Sequence, residues 1–346
     1  MAADYWTSTQ RMKWQFTRDS LKNTRLELIK LEKSMEDSNL ISKIPMDYDI
    51  YMRIYIHSLI NKLGRRLNIR QIALSTAEVY LMRFLTKVIL KEINLYLLVT
   101  TSIYLACKLE ECPQHIRTIV SEARNLWPEY IPHDITKIAE FEFYLIEELD
   151  TYLIVHHPYK TLLTIDEVLS KRQKFNKPQL NDDDNVNDNN NTNNNDNNNN
   201  NNNNVDADDL NNKRITSFLT PEELQTSWSI INDSYVTDLL LLYPPHIVAT
   251  ASIYLTIVLK YTHIQQLRLE KKNSNGIGTN DLNPNQFRYK NDESLQNYIN
   301  FLGYSNIDLE EVIEAVQELI TLYEAWESYD EVKCKKTLEI VLLNRS

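Results

Sequence analysis

Residues 99–105 read Val-Thr-Thr-Ser-Ile-Tyr-Leu, and residues 249–255 read Ala-Thr-Ala-Ser-Ile-Tyr-Leu. Thr100/Thr250, Ser102/Ser252, Ile103/Ile253, Tyr104/Tyr254 and Leu105/Leu255 are identical at a constant offset of 150. An internal repeat constrains architecture before any other feature, because both copies must fold by the same rules. Each run lies in the most apolar helix-like segment of its half. A helix that is apolar all round is buried, so each copy reads as a group of helices around a central one. Small residues (Ser102 and Ala106; Ala251 and Ser252) let neighbouring helices approach. A chain of 346 residues has room for about two such domains.

Around the first copy, helical periodicity predicts five segments: about 47–67, 70–87, 94–111, 115–125 and 133–150. Pro45, Pro113, Pro128 and Pro132 mark the short connections. Upstream, Trp14, Leu21, Leu28, Leu31 and Met35 predict one long amphipathic helix over about 5–37. In the second half, Thr220-Pro221-Glu222-Glu223 is a helix start, with an N-cap Thr, Pro at N1 and Glu at N3. Asp308 and Glu311 open the last strong helix. The expected organisation is an N-terminal helix and linker (1–45), a first repeat (46–152), a second repeat (153–330) and a C-terminal tail (331–346). Two inserts interrupt the second repeat: an Asn/Asp-rich tract at about 176–213, expected to be disordered, and a polar loop at about 268–294. From Asn181 to Asn204, 17 of 24 residues are asparagine, and such a tract cannot bury enough apolar area to offset its ordering entropy.

Composition excludes several classes. The four glycines, Gly64, Gly276, Gly278 and Gly303, make no phosphate-cradling loop. Cys107, Cys112 and Cys334 are odd in number and lack CxxC spacing, so they read as reduced intracellular thiols. No HExxH occurs, and the adjacent His156–His157 does not converge on one ion, so no metal is expected. The first residues contain no apolar signal segment. Leu239–Leu259 lacks formal charge, but Pro244-Pro245-His246 cuts it too short to span a bilayer, so no membrane is expected. Net charge is −11, yet eight aspartates and no Lys or Arg lie between Asn181 and Asn212, leaving only −3 for the rest. No basic surface announces nucleic acid.

Ala106-Cys107-Lys108-Leu109-Glu110-Glu111 ends the central helix of the first repeat, and Lys108 stands where the second copy has Val258. Two tandem all-α repeats with this ending resemble the cyclin family, and within it the cyclin C branch. Further runs carry the resemblance: Asp4-Tyr5-Trp6-Thr7-Ser8, Leu67-Asn68-Ile69-Arg70-Gln71, Glu142-Phe143-Tyr144-Leu145, His156-His157-Pro158-Tyr159, Ile231-Asn232-Asp233-Ser234-Tyr235 and Leu322-Tyr323-Glu324-Ala325-Trp326. The asparagine tract departs from the short connection usual there and suggests a fungal member.

The resemblance implies an all-α fold of two five-helix cyclin boxes and a non-catalytic subunit without cofactor. It implies binding to the cyclin-dependent kinase of the Mediator kinase module and to the module's large subunits, in the nucleus, without direct DNA contact. Alternatives are another transcriptional cyclin, a cyclin-fold scaffold, or a DNA-gripping relative of an initiation factor. Lys108 and Glu142 then correspond to the pair that holds the kinase, and Trp6 and Trp14, eight apart, to an N-terminal contact. Residues 1–36 are expected to be removable without loss of domain melting. A second groove is expected at Trp228, Asn232, Asp233 and Tyr235, joined by Arg70. The docking patch of cell-cycle cyclins reads Tyr51-Met52-Arg53-Ile54-Tyr55 here and lacks its small residue, which argues against that mode of substrate docking.

Overall fold

The computed structural model describes residues 4–34, 48–176, 217–274 and 284–343, and the regular elements among them are helical. After a 3₁₀ turn at Tyr5–Thr7 come α1 (Thr9–Trp14) and α2 (Arg18–Ser34). The first repeat is α3 (Ile50–Arg66), α4 (Gln71–Phe84), α5 (Leu95–Leu109), α6 (Ile116–Leu126) and α7 (Thr136–Glu148). The second half holds α8 (Pro158–Asn176), α9 (Pro221–Ser234), the short α10 (Leu239–Leu242), α11 (Pro245–Ser274), α12 (Pro284–Tyr304), α13 (Leu309–Glu327) and α14 (Glu331–Leu343).

The repeated runs lie at the centres. α5 packs against α3, α4, α6 and α7, while α11 packs against α8, α9, α12 and α13. Thr100, Ser102, Thr250 and Ser252 are fully buried. Of these, Thr100 and Ser252 donate to the carbonyls of Tyr96 and Ala249, each at 2.7 Å. Helix starts follow local rules. Asp49 accepts from the Met52 N–H at 2.8 Å, and Asn94 accepts from Tyr96 and Leu97 at 3.1 and 3.2 Å. Thr220 and Glu223 close the expected capping box.

α4 is the seam. Ala77, Tyr80 and Phe84 enter the first core, and Val79 and Met82 enter the second. Gly64 keeps α3 close to it: a Cβ there would lie 2.6 Å from Leu74 Cδ2. Arg83, on the same helix, is 1% exposed and donates to the Tyr152 carbonyl at 3.0 Å. Burial pushes its pKa down to about 10.

Four expectations need correction or limits. The N-terminal segment is not one helix. It breaks at Gln15–Thr17, where the Phe16 N–H donates to the Leu241 carbonyl at 2.7 Å and Gln15 Nε2 to Leu242 at 3.3 Å. Docking onto the second repeat outweighs helical propensity there. The C-terminal tail is mostly helix. Cys334, Leu338 and Val341, at i, i+4 and i+7, enter the first core from α14. The polar loop is narrower than expected, since α11 runs to Ser274 and α12 starts at Pro284. Its Gln, Arg, Glu and Lys residues are good helix formers, and Pro suits a first helical position. The asparagine tract, Met35 and Gly276/Gly278 lie outside the described residues. On α3, Met52, Ile54 and Tyr55 are buried.

Candidate partner-binding surface

α5 ends in a left-handed cap. Glu111 has φ of 51°, Glu110 N–H donates to Ala106 O at 2.9 Å, and Cys112 N–H donates to Cys107 O at 3.0 Å. This stop leaves Lys108 in the last turn, where the helix dipole favours a cation. The Lys108 ammonium lies 4.5 Å from the Tyr104 ring centroid and pairs with Glu142 Oε1 on α7. Ile138 and Leu145 are buried on the same α7 face as Glu142. The Lys108 side chain is 40% exposed, that of Glu142 only 11%. The next residues face out, with Leu109 42% and Phe143 75% exposed. The site is therefore an ion pair bridging two helices, flanked by solvent-facing apolar groups. Together the pair offers several hydrogen-bond donors and acceptors to a partner backbone.

The two tryptophans do not share a face. Asp4 accepts from Trp6 N–H at 3.2 Å, and extended Ser8 accepts from Arg11 N–H at 3.4 Å. A new helix therefore starts between Trp6 and Trp14. Trp14 is 2% exposed, under the Arg83 guanidinium at 5.2 Å and near Lys87 Nζ at 5.3 Å. It is a core residue, not a direct contact. Leu21 is buried in the second core, so residues 1–36 cannot be removed without opening both cores. Trp6 is 54% exposed, with its ring centroid 5.7 Å from that of His246. With Ile72, Ile154, His156, Tyr159 and His246 it lines a cleft of about 500 Å³ between the repeats.

The second expected group divides. The Trp228 ring stacks on Tyr159 with centroids 4.5 Å apart. Tyr159 OH donates to Asn232 Oδ1 at 2.7 Å and shares a hydrogen bond with Ser75 at 2.7 Å. Tyr235, 3% exposed, bonds His157 Nδ1 at 2.5 Å. His157 Nε2 meets Thr76 Oγ1 at 2.8 Å, and Thr76 donates to Glu110 at 2.7 Å. Burial, then the Arg83 charge, pushes His157 down to about 3, so the ring is neutral. Thr76 has one hydrogen and gives it to Glu110. His157 therefore carries its proton on Nε2 and accepts from Tyr235 at Nδ1. Trp228, Asn232 and Tyr235 thus join α4, α8 and α9 across the repeats. Asp233 turns away to accept from Tyr323 OH at 3.0 Å, and burial raises its pKa. Arg70 is exposed at the start of α4. The partners Ser75 and Thr76 carry no local pattern that would mark them.

The family described as "Cyclin, N-terminal domain" matches residues 24–154. The chain is 46% identical to an "RNA polymerase II holoenzyme cyclin-like subunit" of Scheffersomyces stipitis, covering 100% of this chain and 99% of that one. It is 47% identical to the protein of the same description from Debaryomyces hansenii, covering 100% of each. Among solved structures, a chain of the CAK complex of Chaetomium thermophilum bound to ATP-gamma-S has the same fold. Its TM-score is 0.52 at 14% identity, over 99% of this chain and 92% of that one. With identity near half over its full length, this chain belongs to the cyclin family, among the RNA polymerase II holoenzyme cyclin-like subunits.

Proposed function

We propose that the chain is the non-catalytic regulatory subunit of a cyclin-dependent kinase, that of the Mediator kinase module, and regulates RNA polymerase II transcription in the nucleus. The observation that carries this reading is the Lys108–Glu142 pair, set between exposed Leu109 and Phe143 on adjacent helices. The full-length relation to holoenzyme subunits supports it. A cyclin acts by holding the kinase's regulatory helix where the catalytic Lys–Glu pair can form. Affinity purification of the full chain from its own cells should bring down a cyclin-dependent kinase. A preparation without any kinase would overturn the reading.

Trp6 supplies an exposed aromatic anchor beside the cleft, of the type that dominates interface energetics. Trp6→Ala should weaken kinase binding about tenfold, or about 1.4 kcal/mol, with melting unchanged. Titration calorimetry and a thermal melt measure both, and equal affinity would remove Trp6 from the interface. Trp14 contributes by anchoring this segment to the core.

The half-buried Trp228 face is assigned to the large Mediator subunits, because an aromatic remains partly open over the inter-repeat network. Trp228→Ala should spare kinase binding and reduce assembly of the larger module in a reconstitution. Unimpaired assembly would count against it.

A further inference from the structure

Two of the three cysteines meet at the cap that ends α5. Cys107 is the last inward-facing residue of the helix, Glu111 takes the left-handed turn, and Cys112 follows it. The Cys112 N–H to Cys107 O bond of 3.0 Å closes the six-residue ring of this motif. In such caps the side chains at these two positions frequently touch. Here both positions carry thiols, five residues apart and joined by that backbone bond. Cys107 is fully buried, while Cys112 is half-buried and reachable from solvent. The third thiol, Cys334, is buried on α14. The turn is also pinned from α4, where Thr76 donates to Glu110 at 2.7 Å.

We propose that Cys107 and Cys112 form a reversible intrachain disulfide when the protein meets a hydroperoxide. The Cys112 thiolate attacks one peroxide oxygen. The O–O bond breaks, the leaving hydroxide takes up a proton as water, and Cys112 becomes a sulfenic acid. Cys107 then gives its proton to solvent and attacks the Cys112 sulfur. The S–O bond breaks, the S–S bond forms, and a second water leaves. The two thiols lose two electrons and the peroxide gains them. Burial, reinforced by the neighbouring thiol, pushes Cys107 up to about 12. Cys112 is therefore the first attacker and Cys107 the resolving thiol. In a reducing compartment such a bond is transient, as redox-sensing disulfides are. The site needs no kinase and stands apart from the functional reading above.

Trypsin cuts after Lys108, so the two cysteines fall in separate peptides. The full folded chain, treated with dilute hydrogen peroxide and alkylated, should yield these two peptides linked and lighter by two hydrogens. Dithiothreitol should restore them, and Cys334 should remain alkylated throughout. Cys112→Ser should abolish the link and leave Cys107 fully alkylated. Oxidation of Cys112 to sulfinic acid without a linked pair, or links only to Cys334 or a second chain, would overturn the proposal.

Discussion

Asp238→Ala should cost about 3–5 kcal/mol of stability, the range for removing one partner of a buried ion pair. Asp238 is 9% exposed just before α10. It accepts two bonds from Arg25 of α2, at 2.7 and 2.6 Å, and Arg53 of α3 lies 2.9 Å from its Oδ2. Tyr48 lies beneath both guanidiniums, at 5.6 and 4.9 Å. One carboxylate therefore fastens the N-terminal helix, the first repeat and the second. Without it, two half-buried guanidiniums lose the carboxylate they share. Burial alone would raise the Asp238 pKa, but the Arg25 hydrogen bonds and the Arg53 and Arg25 charges outweigh it and hold the carboxyl low. Its contribution is therefore present above the unfolded aspartate value of about 3.9 and is lost as pH falls through the lower folded value. Urea unfolding should show the loss in the alanine variant at neutral pH. Asp238→Asn should flatten the acid limb relative to the parent. A loss below about 1 kcal/mol would mean that the three elements are held mainly by apolar packing.

That cluster also shows where sequence reading reaches and where it stops. The repeat at an offset of 150 located both central helices because the cause is local: an apolar helix must be surrounded. The Thr220 cap and the start at Asp308 were legible for the same reason. Arg25 and Asp238 are 213 positions apart, and no periodicity couples them. The break at Gln15–Thr17 comes from carbonyls of Leu241 and Leu242, supplied by another repeat. The spacing of Cys334, Leu338 and Val341 was visible, but its significance depends on an uncovered surface of the first repeat. At the candidate site, residue types were legible and directions were not. Trp14 and Asp233 each turned inward to a partner that only the fold supplies.

Replacing Lys108 and Glu142 together by alanine should lower kinase affinity about 100-fold, or about 2.7 kcal/mol. In the free chain the two charges satisfy each other, so a partner must share or open the pair. The single variants are the less informative ones. Lys108→Ala leaves the mostly buried Glu142 carboxylate unpaired, an error of folding as well as of binding. The double variant removes donor and acceptor at once, which costs the fold little, especially with Lys108 exposed enough for solvent screening. Its melting should therefore stay close to that of the parent while binding collapses. A double-mutant cycle measured in the free chain and in the complex separates the two roles. Coupling larger in the complex means that the partner completes the network, as charge-assisted bonds at a desolvated interface do. Coupling equal in both, with kinase affinity unchanged in the double variant, would make the pair an internal staple between α5 and α7 and move the kinase contact elsewhere on the chain.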